Sequence, residues 1–427
     1  MKPRQIVQSA MRIATGEVLG RIATFFLYAY VSRRYGVEVF GIVALGQTAV
    51  NYVIAGADQG LKLIGVRLLA RNPELVGYLV PAIGRLRVVS TAAAVSLGLV
   101  YGLFGPVPEA ARGCIVMFVM TVVPYACALD WVAWGLGHFG ILAMWRSGTV
   151  ILYVGMAVIA MQGSYRPSSV IAAANFLATA FGATFLWLVW RLRLRHLEGK
   201  PSLPLVQAAA EQLRVRRVLT LGVSNLLNLI FLNADILLLG AMATTVELGR
   251  YSAACKPLYV IFTGFWLMTD VLYPHIASIE ESRRARRSLF RWLALLAVGS
   301  LVLAALLVWL TPQILTIIYG STMGADGLFR VLLFALPLDF CFSLLWTVLV
   351  SRGYDRFVTF TLAVGAGTNV VLNLIFIPRF QAMAAAWATV AGYAVLLGIM
   401  LGFVLKNDVL SRGGKEEVVP LPQEYAL

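Results

Sequence analysis

Apolar runs about as long as a membrane-spanning helix recur along the whole chain, and they constrain its fold more than any other feature. A helix needs about 20 residues to cross a bilayer, and lipid offers an open backbone no hydrogen-bond partner. Only 13% of the residues are charged, about half the share in soluble domains. The sequence therefore predicts an all-α polytopic membrane protein with about twelve spans. They are expected at 8–31, 39–59, 86–104, 114–135, 141–161, 168–190, 217–240, 255–275, 289–310, 328–350, 357–377 and 383–405.

The positive charge of the chain lies in short loops between these runs. A net charge of +15 could suit a nucleic-acid partner, but this placement argues against one. If the N-terminus is cytoplasmic, 25 Lys and Arg residues lie inside and 8 outside. This asymmetry predicts a multi-pass protein of the cytoplasmic (inner) membrane with both termini in the cytoplasm. The weakly apolar segment 61–85 is expected to be an interfacial amphipathic stretch.

The long basic loop 191–216 divides the chain into two halves of six spans. We expect an N-terminal bundle at 1–205, a C-terminal bundle at 206–406 and a cytoplasmic tail at 407–427. Weak internal similarity supports the division, since Glu38 and Glu247 begin similar stretches and the Ala-rich stretches at 172 and 384 match at nearly the same offset. Two such halves predict a pseudo-twofold axis along the membrane normal and a cavity that opens alternately to either side.

The first span carries Arg12, Glu17 and Arg21 inside its apolar run. Ionisable groups inside a membrane are costly and usually face a cavity or a partner. Glu17 and Arg21 are four residues apart and can pair on one helix face. Arg21 is therefore either half of a structural pair or a binding group for an anionic headgroup. Arg12 is either a second binding group or a side chain that reaches the interface.

The seventh span carries a polar stripe of Ser224, Asn225, Asn228 and Asp235. Helical geometry places Ser224, Asn228 and Asp235 near one another on one face. Such a stripe suits a hydrated cavity that binds substrate. The alternative is hydrogen bonding between packed helices.

Four carboxylates are candidates for coupling transport to a proton or sodium ion: Glu17, Asp130, Asp235 and Asp339. A carboxylate in a low-dielectric site can bind and release a proton. The four cysteines lack CxxC spacing and the three histidines are scattered, so we predict no metal site and no cofactor. No catalytic residue is predicted.

Positive charge in an otherwise apolar molecule favours an anionic lipid as cargo. A diphosphate-linked sugar needs cations for its phosphates, while its lipid tail can stay in the bilayer. Arg21 and Arg12 are the candidate phosphate ligands, with Arg85, Arg87 and Arg146 near the inner rim. The orientation rule alone would also place arginines at that rim.

Four stretches resemble the polysaccharide-transporter (O-antigen flippase) family of the multidrug/oligosaccharidyl-lipid/polysaccharide exporter superfamily. They are 32–41, 130–139, 235–253 and 369–389, and the resemblance extends over essentially the whole chain. At 380–384 the chain has Phe-Gln-Ala-Met-Ala where the family commonly has glycines. The resemblance implies alternating access and flipping of an undecaprenyl-diphosphate oligosaccharide from the cytoplasm to the exterior. Ion-driven turnover is also implied, and twelve spans differ from the fourteen of related lipid II flippases.

Two other functions compete with this interpretation. A cation-coupled multidrug exporter would share the fold and differ in cargo and coupling. A membrane enzyme of polysaccharide assembly would need a displayed catalytic site, and the longest outside loop, 311–327, carries a single acidic residue, Asp326, and no histidine. We therefore expect a transporter rather than an enzyme. Its partners are expected to be a lipid-linked oligosaccharide, membrane lipid and polysaccharide polymerase machinery.

Overall fold

A computed structural model gives the architecture for residues 3–163, 166–194, 199, 201–278 and 283–407. Within these ranges the backbone, but not the side chains, is described for 3–19, 21, 194, 215–217, 219–221, 270–275, 277–278 and 283–285. The described chain is helical. Its helices are α1 (Pro3–Asp58), α2 (Leu61–Arg71), α3 (Val76–Phe104), α4 (Glu109–Met120), α5 (Val122–Ala126), α6 (Asp130–Gly135), α7 (Phe139–Ala160), α8 (Pro167–Val189), α9 (Leu203–Gln212), α10 (Val215–Met242), α11 (Thr245–Ser278), α12 (Arg283–Tyr319), α13 (Asp326–Leu332), α14 (Ala335–Ser351) and α15 (Asp355–Lys406).

The predicted class, an all-α polytopic membrane protein, is confirmed. Over the described residues, nine helical segments are long and apolar enough to cross a membrane. The twelve predicted windows fall mostly on helix, although 114–135 is divided among α4, α5 and α6 and 328–350 between α13 and α14. The windows at 8–31, 217–240 and 255–275 include undescribed side chains. The segment predicted to be amphipathic contains α2, whose buried side is formed by Leu61, Ile64, Gly65, Val66 and Leu69. Its interfacial position stays a prediction.

Two long helices each contain a sharp break that separates two predicted spans. α1 breaks at Gly36, where φ is 82° and ψ is −178°. After this break the chain folds back, so that the rings of Tyr28 and Phe40 meet edge to face at 5.8 Å. α15 breaks at Gln381, where φ is 51° and ψ is −134°. Both predicted loops, between spans one and two and between spans eleven and twelve, are therefore reduced to single-residue kinks.

The break at Gln381 places a side chain in a backbone conformation that favours glycine. The positive φ costs a non-glycine residue about 1–3 kcal/mol. This explains why glycine would suit the 380–384 stretch, where the chain departs from the family that it resembles. We predict that Gln381→Gly raises the free energy of unfolding by about 1 kcal/mol, because relief of strain outweighs the added entropy of the unfolded chain.

Unfolding of the purified protein in detergent by added denaturing surfactant measures this difference. Gln381→Ala is the control, since alanine keeps the Cβ atom and should bring no comparable gain. Equal stability of the glycine and alanine variants would contradict the strain at this position.

The contacts between helices divide the chain into two compact units, Met1–Leu226 and Leu227–Leu427. The predicted boundary after residue 205 precedes this division, and the predicted bundle limits stay a prediction. In unit 1, α1 packs against α3, α4, α7 and α8. Glycines permit close approach there, because a Cβ atom on Gly98 would lie 2.7 Å from Val53 and 2.9 Å from Val119.

In unit 2, α14 is the central helix and packs against α11, α12 and α15. Most of its side chains are buried, including the carboxylate-bearing Asp339. Tyr319 near the end of α12 donates a hydrogen bond to the carbonyl of Ala253 on α11, at 3.1 Å. Helix α14 therefore places Asp339 in the interior of unit 2.

Candidate functional site

A tight turn between α1 and α2 brings two charged residues of unit 1 close in sequence. α1 ends at Asp58, and Gln59 and Gly60 follow with positive φ values of 43° and 84°. Helix α2 begins at the next residue, so that Lys62 lies in its first turn. Gly60 suits this turn because it has no Cβ atom to clash with the backbone.

Two buried ion pairs meet at this turn. The Lys62 ammonium lies 2.5 Å from Oδ2 of Asp130, at the start of α6. Nη2 of Arg87, on α3, donates to Oδ1 of Asp58 at 2.7 Å, and its Nη1 donates to the carbonyl of Ala128 at 3.2 Å. The side chain of Asp130 is only 2% exposed, and that of Arg87 only 5%. Each buried charge therefore has a partner of opposite sign.

A tryptophan ring lies against two cations at the edge of these pairs. The Lys62 ammonium lies 5.4 Å from the ring centre of Trp134, and the Arg146 guanidinium lies 5.8 Å from it. We name Asp58, Lys62, Arg87, Asp130, Trp134 and Arg146 the unit 1 charge cluster. Three cations against two carboxylates leave it with one net positive charge. A cationic site beside an aromatic face can bind phosphate and stack on a ring.

The Lys62–Asp130 pair lies outside the nine candidate spans. Each residue of the pair shifts the pKa of the other. Burial disfavours the charged form of Asp130, but the charges of Lys62 and Arg87 outweigh burial and hold its pKa below the usual 3.8. Burial also opposes the charge of Lys62, and Asp130 outweighs it and raises the pKa of Lys62 above 10.5. Both groups are therefore charged at neutral pH.

In unit 2, Asp235 on α10 is held by hydrogen bonds rather than by a cation. The Tyr251 hydroxyl on α11 donates to its Oδ2 in a short hydrogen bond. Thr389 on α15 donates to the same oxygen at 3.4 Å, and the backbone N–H of Ile236 donates to Oδ1 at 2.8 Å. Asp235 therefore joins three helices of unit 2.

Asp339 on α14 lies among three hydrogen-bonding side chains, Trp266, Tyr393 and Ser343. The indole N–H of Trp266, on α11, lies 3.2 Å from its Oδ2 and 3.4 Å from its Oδ1. Within the described part of unit 2, neither Asp339 nor Asp235 forms an ion pair with a cationic side chain. An ionised carboxylate buried without a cation is costly, so it favours binding a proton or a cation.

Aromatic rings pack around these two carboxylates. The ring of Tyr393 on α15 lies 4.8 Å from Phe231, 5.7 Å from Phe262 and 6.3 Å from Phe342. Tyr393 interacts electrostatically with both Asp339 and Asp235. The structure thus brings two of the predicted coupling carboxylates to one aromatic cluster of unit 2. It places the third, Asp130, in an ion pair of unit 1.

The remaining predicted site residues are only partly described. The side chains of Arg12, Glu17 and Arg21 lie outside the described residues, so their roles stay predictions. On α10, Asn225 and Asn228 are exposed and Ser224 is half-buried, whereas Asp235 is buried against α11 and α15. The roles predicted for these residues stay predictions too.

Sequence reasoning did not assign Lys62, Trp134 or Trp266 to a site. Two spacings carried a signal. Lys62 follows Asp58 by four residues in a segment of weak hydrophobicity. Trp134 follows Asp130 by four residues, which places Asp130 and Trp134 on one helix face. Trp266 lies in an apolar run rich in aromatic residues and gives no comparable signal.

A comparison with known protein families places the chain in one of them. The model of a family described as "Polysaccharide biosynthesis protein" matches residues 6–280. The chain belongs to this family. No curated protein matches the sequence. As a member of the polysaccharide biosynthesis family, the chain is a multi-pass membrane protein of a group of flippases and transporters.

Solved structures share the fold of this family member at low sequence identity. A lipid II flippase, MurJ, in an inward closed conformation aligns with a TM-score of 0.58 and 12% identity, over 93% of this chain and 89% of that one. An inward-facing multidrug resistance MATE transporter of the MOP superfamily gives 0.60 and 13%, over 93% and 98%. The eukaryotic MATE transporter AtDTX14 gives 0.52 and 12%, over 95% and 97%. The exporter-superfamily fold is thereby confirmed.

Proposed function

We propose that the protein is a flippase that moves a polyprenyl-diphosphate-linked oligosaccharide from the cytoplasmic to the outer leaflet by alternating access. It acts in the cytoplasmic membrane with both termini in the cytoplasm, and it delivers cargo to the polymerase machinery of surface polysaccharide biosynthesis. The observation that carries the proposal is the unit 1 charge cluster, with its net positive charge beside Trp134, in a chain of the polysaccharide biosynthesis family.

The unit 1 charge cluster suits both parts of a diphosphate-linked sugar. Lys62 and Arg146 offer cationic hydrogen-bond donors to phosphate, and such charge-assisted bonds are about twice as strong as neutral ones. The half-buried ring of Trp134 offers a face on which a sugar ring can pack. Arg21 and Arg12 of the first span are the further phosphate ligands in this proposal. Ser224, Asn225 and Asn228 are its sugar ligands.

Unit 2 supplies the ion coupling in this proposal. Asp130 is already neutralised by Lys62, so binding a proton there would break an ion pair. Asp235 accepts a short hydrogen bond from Tyr251 and one of 2.8 Å from the Ile236 N–H, whereas the Trp266 indole lies at the longer distance of 3.2 Å from Asp339. Among the candidates with described side chains, Asp339 is therefore the first choice for proton coupling and Asp235 the second. Glu17 remains a candidate of the first span.

A second candidate function is a cation-coupled multidrug exporter, and the likeness to MATE transporters favours it. The aromatic cluster of unit 2 with its two carboxylates is also the kind of surrounding that an organic cation prefers. In both cases the protein acts as a transporter rather than an enzyme. The flippase and the multidrug exporter differ in the cargo that they transport.

A reconstituted transport assay separates these functions. The full chain is placed in vesicles that hold a fluorescent polyprenyl-diphosphate oligosaccharide, and exposure of the sugar is followed with a membrane-impermeant glycosidase. If the protein is a flippase, sugars of the protected leaflet should become accessible only in vesicles that contain it. Ion-driven efflux of ethidium without oligosaccharide movement would instead establish the multidrug exporter.

The choice of Asp339 leads to a prediction in the same assay. Asp339→Asn should make the flipping rate independent of an imposed proton gradient, because the asparagine amide does not bind or release a proton near neutral pH. The hydrogen bond from Trp266 can persist, so the amount of folded protein should stay near wild type. Asp235→Asn is the matched comparison within the same unit. Unchanged gradient dependence in the Asp339 variant would exclude Asp339 as the coupling group.

A further inference from the structure

The first turns of α12 carry a dense group of arginines at an unfavourable place on a helix. Arg283, Arg284, Arg286, Arg287 and Arg291 fall within its first nine residues, and the first turn has no acidic residue. Cations near a helix N-terminus face the positive end of the helix dipole and weaken the helix. Glu280 and Glu281 precede the helix and lie outside the described residues. An anionic partner bound here would interact favourably with the guanidinium groups and with the helix dipole.

The placement of these arginines indicates where that partner lies. Arg287 and Arg291 are exposed on the same helix face as Leu295, Val298 and Val302, because their spacing is three or four residues. These three apolar side chains are 64%, 62% and 65% exposed, as expected of a lipid-facing surface. One continuous face thus presents guanidinium groups at its end and hydrocarbon below them. The positive-inside rule requires cations on one side of the membrane but does not require them on the lipid-facing stripe.

A shallow groove marks the end of this face. It has a volume of about 410 Å³ and is lined by Arg286, Arg287, Phe290, Arg291 and Ala294. Nη2 of Arg286 lies 3.4 Å from the carbonyl of Leu405 in the last turn of α15. The groove therefore offers guanidinium donors above and an aromatic ring and a methyl group at its apolar side, next to the end of a second helix.

We propose that this groove of unit 2 binds the headgroup of an anionic phospholipid whose acyl chains lie along Leu295, Val298 and Val302. Arg287 and Arg291 donate to the phosphate, since guanidinium groups match phosphate oxygens in charge and geometry. The bound lipid places negative charge at the N-terminal end of α12, where the helix dipole favours it. The site is separate from the unit 1 charge cluster and does not depend on which cargo the protein carries.

Quenching of tryptophan fluorescence by brominated lipid tests this site directly. Trp292 follows Arg291 and is 60% exposed, so it reports on lipid at the groove. The full chain is reconstituted in phosphatidylcholine vesicles with increasing brominated phosphatidylglycerol, and the Trp292 signal is the difference between the wild type and Trp292→Phe. Brominated phosphatidylcholine in unbrominated phosphatidylcholine is the neutral reference. We expect the Trp292 signal to show preferential binding of phosphatidylglycerol.

The Arg287→Gln/Arg291→Gln variant should lower that preference about thirtyfold, as expected for two cations at an anionic surface. Arg287→Lys/Arg291→Lys keeps the charge and should retain most of it. The matched control is Arg352→Gln/Arg356→Gln, which removes two charges on the same predicted side and should leave the preference unchanged. Equal quenching by both brominated lipids would overturn the proposal, as would the same loss in the control. Quenching that responds to brominated undecaprenyl diphosphate and not to phosphatidylglycerol would also overturn it.

Discussion

Lys62→Met should lower the free energy of unfolding by about 3–5 kcal/mol, because it leaves a buried carboxylate without its partner. The Asp130 side chain is 2% exposed and lies 2.5 Å from the Lys62 ammonium. Methionine keeps the length and apolar stem of lysine, so the loss reports the missing charge rather than a cavity. Unfolding of the purified protein in detergent by added denaturing surfactant measures it.

A second substitution separates the charge effect from general damage. Lys62→Met/Asp130→Leu removes both charges and replaces them with apolar groups of similar size, which is often neutral for stability. The double variant should recover most of the loss. If it is as unstable as Lys62→Met, the ion pair is not what Lys62 contributes.

The pH dependence of the Lys62–Asp130 pair gives an independent check. The lowered pKa of Asp130 gives stability that is present above the ordinary value of 3.8 and is lost as pH falls through the native pKa. The raised pKa of Lys62 gives stability that is present below 10.5 and is lost as pH rises through the native pKa. The wild type should thus keep this contribution between pH 3.8 and 10.5. Without Lys62 the pKa of Asp130 should rise, because burial is then opposed by Arg87 and Arg146 alone, so acidification should restore part of the stability of Lys62→Met.

Arg21→Ala should abolish surface polysaccharide while the amount of protein in the membrane stays normal. We propose that Arg21 contacts the phosphates of the headgroup, because a cation inside a span is costly unless it faces an anionic partner, and a diphosphate is such a partner. Surface polysaccharide is measured by gel analysis of whole cells, and protein level by immunoblot of membranes.

Two controls make the Arg21 result decisive. Arg21→Lys keeps the charge and should retain part of the polysaccharide. Glu17→Gln removes the nearest sequence partner, so protein loss in that variant and in Arg21→Ala would indicate a structural pair. Wild-type polysaccharide in Arg21→Ala would remove Arg21 from the binding site.

The membrane architecture could be predicted from sequence because each span can be recognised by its length and hydrophobicity. The windows at 357–377 and 383–405 both fall on α15, on either side of Gln381. The sequence did not reveal that this connection is one strained residue, since hydropathy reports burial in lipid and not backbone angles. The departure from glycine at 380–384 was the single hint.

The charged groups were harder to predict because their partners come from distant parts of the chain. Asp130 and Asp339 look alike in sequence, as buried carboxylates in apolar runs. The structure gives Asp130 a cation, Lys62, from a segment that hydropathy leaves ambiguous. It gives Asp339 an indole N–H, from Trp266. Pairing across helices depends on packing, which periodicity within one helix does not contain.

The location of lipid-linked oligosaccharide in cells that lack the protein tests the central proposal most directly. Spheroplasts of a deletion strain are treated with an impermeant glycosidase, and the lipid-linked repeat units are then extracted and counted. We expect that repeat units accumulate and stay protected on the cytoplasmic leaflet, and that wild-type protein restores their exposure. Full exposure of the repeat units on the outer leaflet of the deletion strain would contradict it.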